Sequence, residues 1–245
     1  MEEDYDNVRD PLLGLNKEED NEIEKRVQKQ IRVGFMTKVF GIVAYQMIIL
    51  FLVVLLGFLN KSFRIWLLTS YSIYILAFII FMTCLLAPIF KPQLYQKVPT
   101  NYIILTLFTL SYSWWIAEFT LRFTPTSVLV ALGLTVLVTL ALTLYALFTK
   151  EDYTLMGGTL FISLFLLIII SFIFAFIAIP LLYLLLISAG LILFSAYLLY
   201  DVQLVIGSGQ KKFGEDDYIL AAINIYLDII GIFIRILAIF GSRNS

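Results

Sequence analysis

Apolar residues fill seven stretches of the chain, each long enough to cross the roughly 30 Å hydrocarbon layer of a membrane. The stretches run over residues 37–59, 65–88, 101–121, 126–148, 155–179, 181–206 and 219–240. No charged residue stands between Asp152 and Asp201, and at about 1.5 Å per residue one helix over that distance would be far too long. We therefore expect two spans there, with a break at Pro180. The pattern predicts an all-α membrane protein with seven transmembrane helices.

Polar residues gather at the ends of the chain. Ten of the eighteen acidic residues fall within the first 24 positions, so we expect residues 1–34 to form an acidic, disordered, cytosolic tail. Residues 35–241 would form the transmembrane domain and residues 242–245 a short C-terminal tail. The composition, 61% hydrophobic and 14% charged, agrees with a membrane protein, since soluble domains carry about 25% charged residues.

Lysine and arginine residues near the span ends predict the orientation, because they are enriched on the cytosolic side. With the N-terminus inside, inner segments hold ten basic residues and outer segments hold four. The inner set is Lys25, Arg26, Lys29, Arg32, Lys38, Lys91, Lys97, Lys150, Lys211 and Lys212. The outer set is Lys61, Arg64, Arg122 and Arg243. We expect a cytosolic N-terminus and, with seven spans, a C-terminus on the far side.

Two aspartates lie inside the last two spans, Asp201 in span 6 and Asp228 in span 7. A carboxylate at membrane depth is expensive, so it marks a candidate functional site. The predicted topology places both in the same membrane half, about 8 Å and 13 Å from the cytosolic span ends, where they could meet. Two carboxyl groups in contact would share one proton and titrate as a unit. The alternative is that they only join helices through hydrogen bonds.

Three other polar residues inside the spans qualify this picture. Asn224 and Arg235 share a helical stripe with Asp228, which indicates a face turned to the bundle interior or a water-filled path. Arg235 either acts electrostatically there or extends to the outer interface. Glu118, near the outer end of span 3, either pairs with Arg122 at i+4 or attracts cations at a pore mouth.

Several function classes find no support in the sequence. Histidine is absent and Cys84 is the one cysteine, so a Cys/His metal site and an internal disulfide are excluded. No nucleophile–base pair or phosphate-binding glycine loop is present, so we expect neither an enzyme nor a bound cofactor, and no nucleic-acid partner. The lipid bilayer is the partner that the composition predicts.

Several sequence motifs are shared with a known family. They are residues 31–40 (IRVGFMTKVF), 99–102 (PTNY), 107–110 (LFTL), 127–135 (SVLVALGLT), 149–157 (TKEDYTLMG), 200–204 (YDVQL) and 216–230 (DDYILAAINIYLDII). Through them the chain resembles the transmembrane Bax inhibitor motif family, specifically its Lifeguard branch, over roughly residues 31–241. The two C-terminal motifs are the most specific of the set.

The resemblance implies seven helices with the last helix central in a bundle of six. It also implies a pH-sensitive calcium leak across an intracellular membrane, regulated by a di-aspartyl pair that Asp201 and Asp228 match by motif. The membrane would be the endoplasmic reticulum, Golgi or a lysosome-like compartment. Suppression of cell death, with cell-death regulatory membrane proteins as partners, is a further association of the family. Arg235 stands where we expect its pattern to have an uncharged residue.

Three functions remain open from the sequence. The first is a cation leak channel that prefers calcium, with Asp201, Asp228, Asn224 and Gln203 as transient oxygen ligands. The second is a membrane-embedded interaction protein that regulates apoptosis without conducting ions. The third is a proton-coupled transporter that uses the same carboxylates as a relay.

Overall fold

The computed structural model describes residues 3–174, 176 and 179–243, and side chains from residue 19 onward within them. The helices are α1 (Glu3–Leu59), α2 (Lys61–Thr69), α3 (Tyr71–Phe90), α4 (Thr100–Thr120), α5 (Pro125–Phe148), α6 (Gly157–Phe174), α7 (Pro180–Ile206) and α8 (Tyr218–Phe240). The expected C-terminal tail, 242–245, lies partly outside the described residues.

Seven of the described helices are long and apolar enough to cross a membrane. This confirms the prediction of an all-α membrane protein with seven transmembrane helices. The predicted break in the long uncharged stretch is also confirmed, because α6 ends at Phe174 and α7 begins with Pro180 as its first residue. Proline suits that position, since the first helical residue has no intrahelical use for its N–H.

The second span begins later than the sequence predicted. Residues 61–69 form the separate short helix α2, and the span itself is α3, from Tyr71. Asn60 caps α2 by accepting a hydrogen bond from the backbone N–H of Phe63 at 3.0 Å. Nine residues at about 1.5 Å each cannot cross the membrane, so α2 belongs to the connection between the first two spans.

The first helix continues into the segment expected to be a disordered tail. Residues 19–34 are helical and mostly exposed, with an ion pair from Arg26 to Glu22 at 3.3 Å and a hydrogen bond from Gln28 to Glu24 at 3.2 Å. Such i,i+4 pairs each stabilise a helix by a few tenths of a kcal/mol, and Glu, Lys, Arg and Gln are good helix formers. The acidity that suggested disorder also suits an exposed helix.

The last helix, α8, is the most buried of the seven spans. Buried residues make up 56% of its apolar window, against 6% for α6. Within the described part of the chain α8 packs against α1, α4, α5 and α7, with α7 the most extensive contact. This heavy burial agrees with a helix in the bundle interior, while the arrangement of six helices around it stays an expectation.

The connection between α7 and α8, residues 207–217, is held by side chains from elsewhere in the chain. The guanidinium of Arg32 in α1 donates hydrogen bonds to the carbonyls of Ile206 at 3.2 Å and Phe213 at 2.9 Å, and also to that of Leu204. Carbonyls at a helix C-terminus lack intrahelical partners, so Arg32 caps α7. Gly207 ends the helix in the left-handed conformation, φ 73°, which glycine adopts without steric penalty.

Asp152, in the connection between α5 and α6, binds the same loop. It accepts hydrogen bonds from the Thr154 hydroxyl and N–H and, through its other oxygen, from the N–H of Gln210 at 2.9 Å. The Thr154 hydroxyl bond, followed by the Gln210 N–H bond, lowers the pKa of Asp152 below its ordinary value of 3.8. The folded protein therefore favours the ionised carboxylate at this site.

We predict that Asp152→Asn lowers the melting temperature of the detergent-solubilised protein at pH 7. A carboxyl whose folded pKa is depressed contributes stability above its unfolded pKa and loses it as pH falls through the folded pKa. The melting temperatures of wild type and variant should therefore converge as pH falls below the ordinary value of 3.8. Thermal unfolding followed by circular dichroism at pH 7 and at about pH 3 measures this convergence.

Glu151→Gln is the matched control. Glu151 is the exposed neighbour of Asp152, and its substitution also removes one negative charge. It should leave the melting temperature unchanged at both pH values. If Asp152→Asn lowered the melting temperature as much at about pH 3 as at pH 7, the stabilising role of Asp152 would not depend on its charge.

Candidate functional site

Asp201 and Asp228 face one another across the α7–α8 contact. Asp201 lies five residues before the end of α7 and Asp228 ten residues after the start of α8, about 8 Å and 15 Å along the helices. Their side chains are only 3% and 4% exposed, and the two carboxyl groups lie within hydrogen-bonding reach of each other. The structure thus brings together the two residues that the sequence singled out.

The hydrogen bonds around this pair leave one acceptor open. Asn224, one turn before Asp228 on α8, donates from Nδ2 to Asp201 Oδ1 at 3.5 Å. Oδ2 of Asp228 is buried and has no hydrogen-bond partner among the described residues. Two carboxyl groups in contact are most stable with one shared proton. This oxygen can accept the shared proton from Asp201 or contact a cation.

Gln203 does not belong to this site, although we expected it to supply an oxygen. It lies two residues after Asp201, about 200° around the helix, and its amide is used elsewhere. Oε1 accepts from the N–H of Tyr153 at 2.8 Å, and Nε2 donates to the carbonyl of Glu151 at 2.9 Å. Gln203 therefore fixes the α5–α6 connection to α7.

Arg235 lies on the same stripe of α8 but does not contact the carboxyl pair. Its Nη1 donates to the carbonyl of Gly231 at 2.9 Å, and its guanidinium lies 4.1 Å from the centre of the Phe194 ring. Gly231 is one turn back toward Asp228, so the side chain turns into the protein. This orientation differs from the extension toward the outer interface that we considered.

Glu118, in the last turn of α4, forms an ion pair with Arg122, which lies four residues later in the connection after α4. The carboxylate side chain is 14% exposed and the arginine 60% exposed. This geometry matches the helix-end ion pair that we weighed against a cation-attracting pore mouth. With its charge already paired, Glu118 is the weaker candidate for an ion-binding role.

Sequence reasoning missed the tyrosines around the pair. Tyr112 of α4 and Tyr197 of α7 lie close enough to Asp228 to interact with its charge, and the Tyr112 ring packs edge-on against Tyr226 at 5.8 Å. Tyr226 in turn shares a 3.4 Å hydrogen bond with Ser113. The run Ser111-Tyr112-Ser113, in the least apolar of the seven spans, was the available signal.

Comparisons with known proteins show which family this sequence is similar to. Residues 32–245 match the family described as inhibitor of apoptosis-promoting Bax1. Bax inhibitor 1 of Schizosaccharomyces pombe is 31% identical over 214 residues, which cover 87% of this chain and 78% of that protein. Protein lifeguard 3 of Homo sapiens is 28% identical over 229 residues, covering 88% and 71%. The resemblance drawn from the sequence motifs is confirmed.

We predict that Asp201→Cys with Asp228→Cys, in a Cys84→Ser background, forms a crosslink between α7 and α8. Side chains whose carboxyl groups lie in mutual reach leave two thiols close enough for oxidation or a short bifunctional reagent. Trypsin cleaves after Lys211 or Lys212 in the α7–α8 connection, so crosslinked fragments should stay joined on a non-reducing gel. Gln203→Cys with Asp228→Cys is the control and should separate. Equal crosslinking of the two variants would contradict the placement of Asp201, rather than Gln203, on the face of α7 that meets Asp228.

Proposed function

This chain belongs to the family of inhibitors of apoptosis-promoting Bax1, and we propose that it is a pH-sensitive cation leak channel of an intracellular membrane. Calcium is the preferred ion, and Asp201 and Asp228 form the gate. The observation that carries this proposal is the buried contact between the two carboxyl groups, one of whose oxygens has no partner among the described residues. Suppression of cell death comes to the proposal from the names of the family and its relatives.

The side chains of the site favour a hard cation as the ligand. Calcium takes about six to eight oxygen ligands, and the site offers the two carboxylates together with the amide of Asn224. Among the described residues no cluster of three or more His, Cys, Asp or Glu side chains is present that could hold a metal ion. A passing ion would complete its shell with water and backbone carbonyls, and such weak binding allows release.

The shared proton couples this site to pH. With one proton between them, the two carboxyl groups attract each other and hold α7 against α8. When both groups ionise, they repel each other, and a divalent cation between them compensates the two negative charges. We assign the closed arrangement, with both carboxyls only 3% and 4% exposed, to the form of the gate in which the pair shares a proton.

We predict that calcium flux from liposomes containing the purified protein changes with pH through one transition that belongs to the pair. Asp201→Asn and Asp228→Asn should each flatten that response, because either change removes the like-charge coupling. The double variant should add little to either single change, since all three disable the same unit. The measurement is flux against pH with a trapped calcium indicator.

Glu118→Gln is the control, because it removes an intramembrane carboxylate that is already paired with Arg122, and it should keep the pH response. A double aspartate variant with full pH sensitivity would refute the gate. Flux that requires an opposing proton gradient would favour a transporter. A folded protein without flux at any pH would favour an interaction protein.

A further inference from the structure

Arg235 is a cation in the most buried span, and among the described residues it has no acidic partner. The ion pairs of the described chain join Arg26 to Glu22 and Arg122 to Glu118. A guanidinium carries five N–H donors and no acceptor, and the described structure gives Arg235 one hydrogen bond, to the Gly231 carbonyl of its own helix. Donors without a partner are expensive at membrane depth, so this group can take up a further acceptor.

The protein has a built place for this side chain. The Phe194 ring supports the guanidinium from one side at 4.1 Å. A Cβ on Gly190 would collide with Nε of Arg235, so the glycine lets the arginine lie directly against the backbone of α7. The Phe194 ring and the absence of a side chain at Gly190 hold the guanidinium in place against α7.

Arg235 lines a cleft with a volume of about 740 Å³. Its walls come from the end of α6, the start of α7 and the last turns of α8, with Phe119 of α4, and they are apolar except for Arg235 and the hydroxyls of Ser171 and Tyr183. One water takes about 30 Å³, so the cleft is much larger than a solvation site. Its size and its largely apolar lining suit an apolar chain with one polar end.

We propose that this cleft binds an acidic phospholipid, with its phosphate on Arg235 and an acyl chain along the apolar walls of α6 and α7. Guanidinium groups bind phosphate through paired charged hydrogen bonds. Arg235 lies five residues before the end of α8, about 8 Å inside it, a distance over which a lipid phosphate near the helix end can meet the long arginine side chain. The apolar walls favour a lipid over a free anion.

The headgroup charge determines the preference. A zwitterionic lipid also carries a phosphate, but its own ammonium group already compensates that charge. An acidic lipid leaves a net negative charge for Arg235 to neutralise. The site therefore discriminates between lipids with identical acyl chains by their headgroups.

The test uses the full-length protein in detergent, with binding measured by native mass spectrometry and by the shift in melting temperature. Phosphatidylglycerol and phosphatidylcholine with the same acyl chains are the probes, and inorganic phosphate is the third. We expect wild type to prefer phosphatidylglycerol, and Arg235→Gln to weaken that binding by about tenfold or more. Arg243→Gln, an exposed charge at the same end of the bundle, is the matched control and should bind like wild type.

A second variant keeps the charge of Arg235 and reduces the volume of the cleft. Ser171→Trp places an indole in the cleft from α6, where residue 171 is exposed, and should weaken the preference for phosphatidylglycerol. This variant keeps the proposal testable if Arg235→Gln does not fold. Equal binding of both lipids by wild type, or equal loss in Arg243→Gln, would overturn the proposal. Stabilisation by inorganic phosphate as strong as that by phosphatidylglycerol would overturn the lipid as the ligand.

Discussion

The contact between Asp201 and Asp228 is the constraint on which the arrangement of the last two helices depends. A carboxyl group inside a membrane must be paired, protonated or hydrated, and here each group meets the other. This requirement fixes the faces along which α7 and α8 meet, and it draws α8 into the interior, where it contacts four other helices. Polar residues of α4, including Tyr112 and Ser113, then find partners on α8.

The ends of α7 and α8 near this contact are held more tightly than a short polar connection would suggest. Arg32 caps α7 from α1, and Gln203 ties α7 to the α5–α6 connection. Asp152 holds the loop itself. Because α7 is fixed at this end on two sides, separating the two carboxyls requires either a movement of α8 or the release of these hydrogen bonds.

The lengths of the apolar runs predicted the seven helices of the fold. The similar distances of Asp201 and Asp228 from the ends of their helices predicted that the two aspartates meet. Pro180 placed the α6–α7 break correctly because it cannot continue a helix from its N-terminal side. The Gln203 prediction failed because depth alone does not say which face of a helix a residue occupies. Arg235 was ambiguous for a similar reason, since Phe194 and Gly190, far away in sequence, decide its direction. The functional roles of the pair stay predictions.

The acids Glu118, Asp201 and Asp228 each lie beside a group that can offset their charge, whereas Arg235 has no acidic partner among the described residues. Glu118 is paired with Arg122 one turn away, and Asp201 and Asp228 lie beside each other at the α7–α8 contact. Asp228 and Arg235 stand on one stripe of α8, seven residues or about 10 Å apart, yet they do not pair, because the Phe194 ring packs at Gly231 between them. Arg235 therefore needs a negative charge from outside the chain. In our proposal an acidic lipid supplies that charge from within the membrane, a region that hydrated anions do not enter.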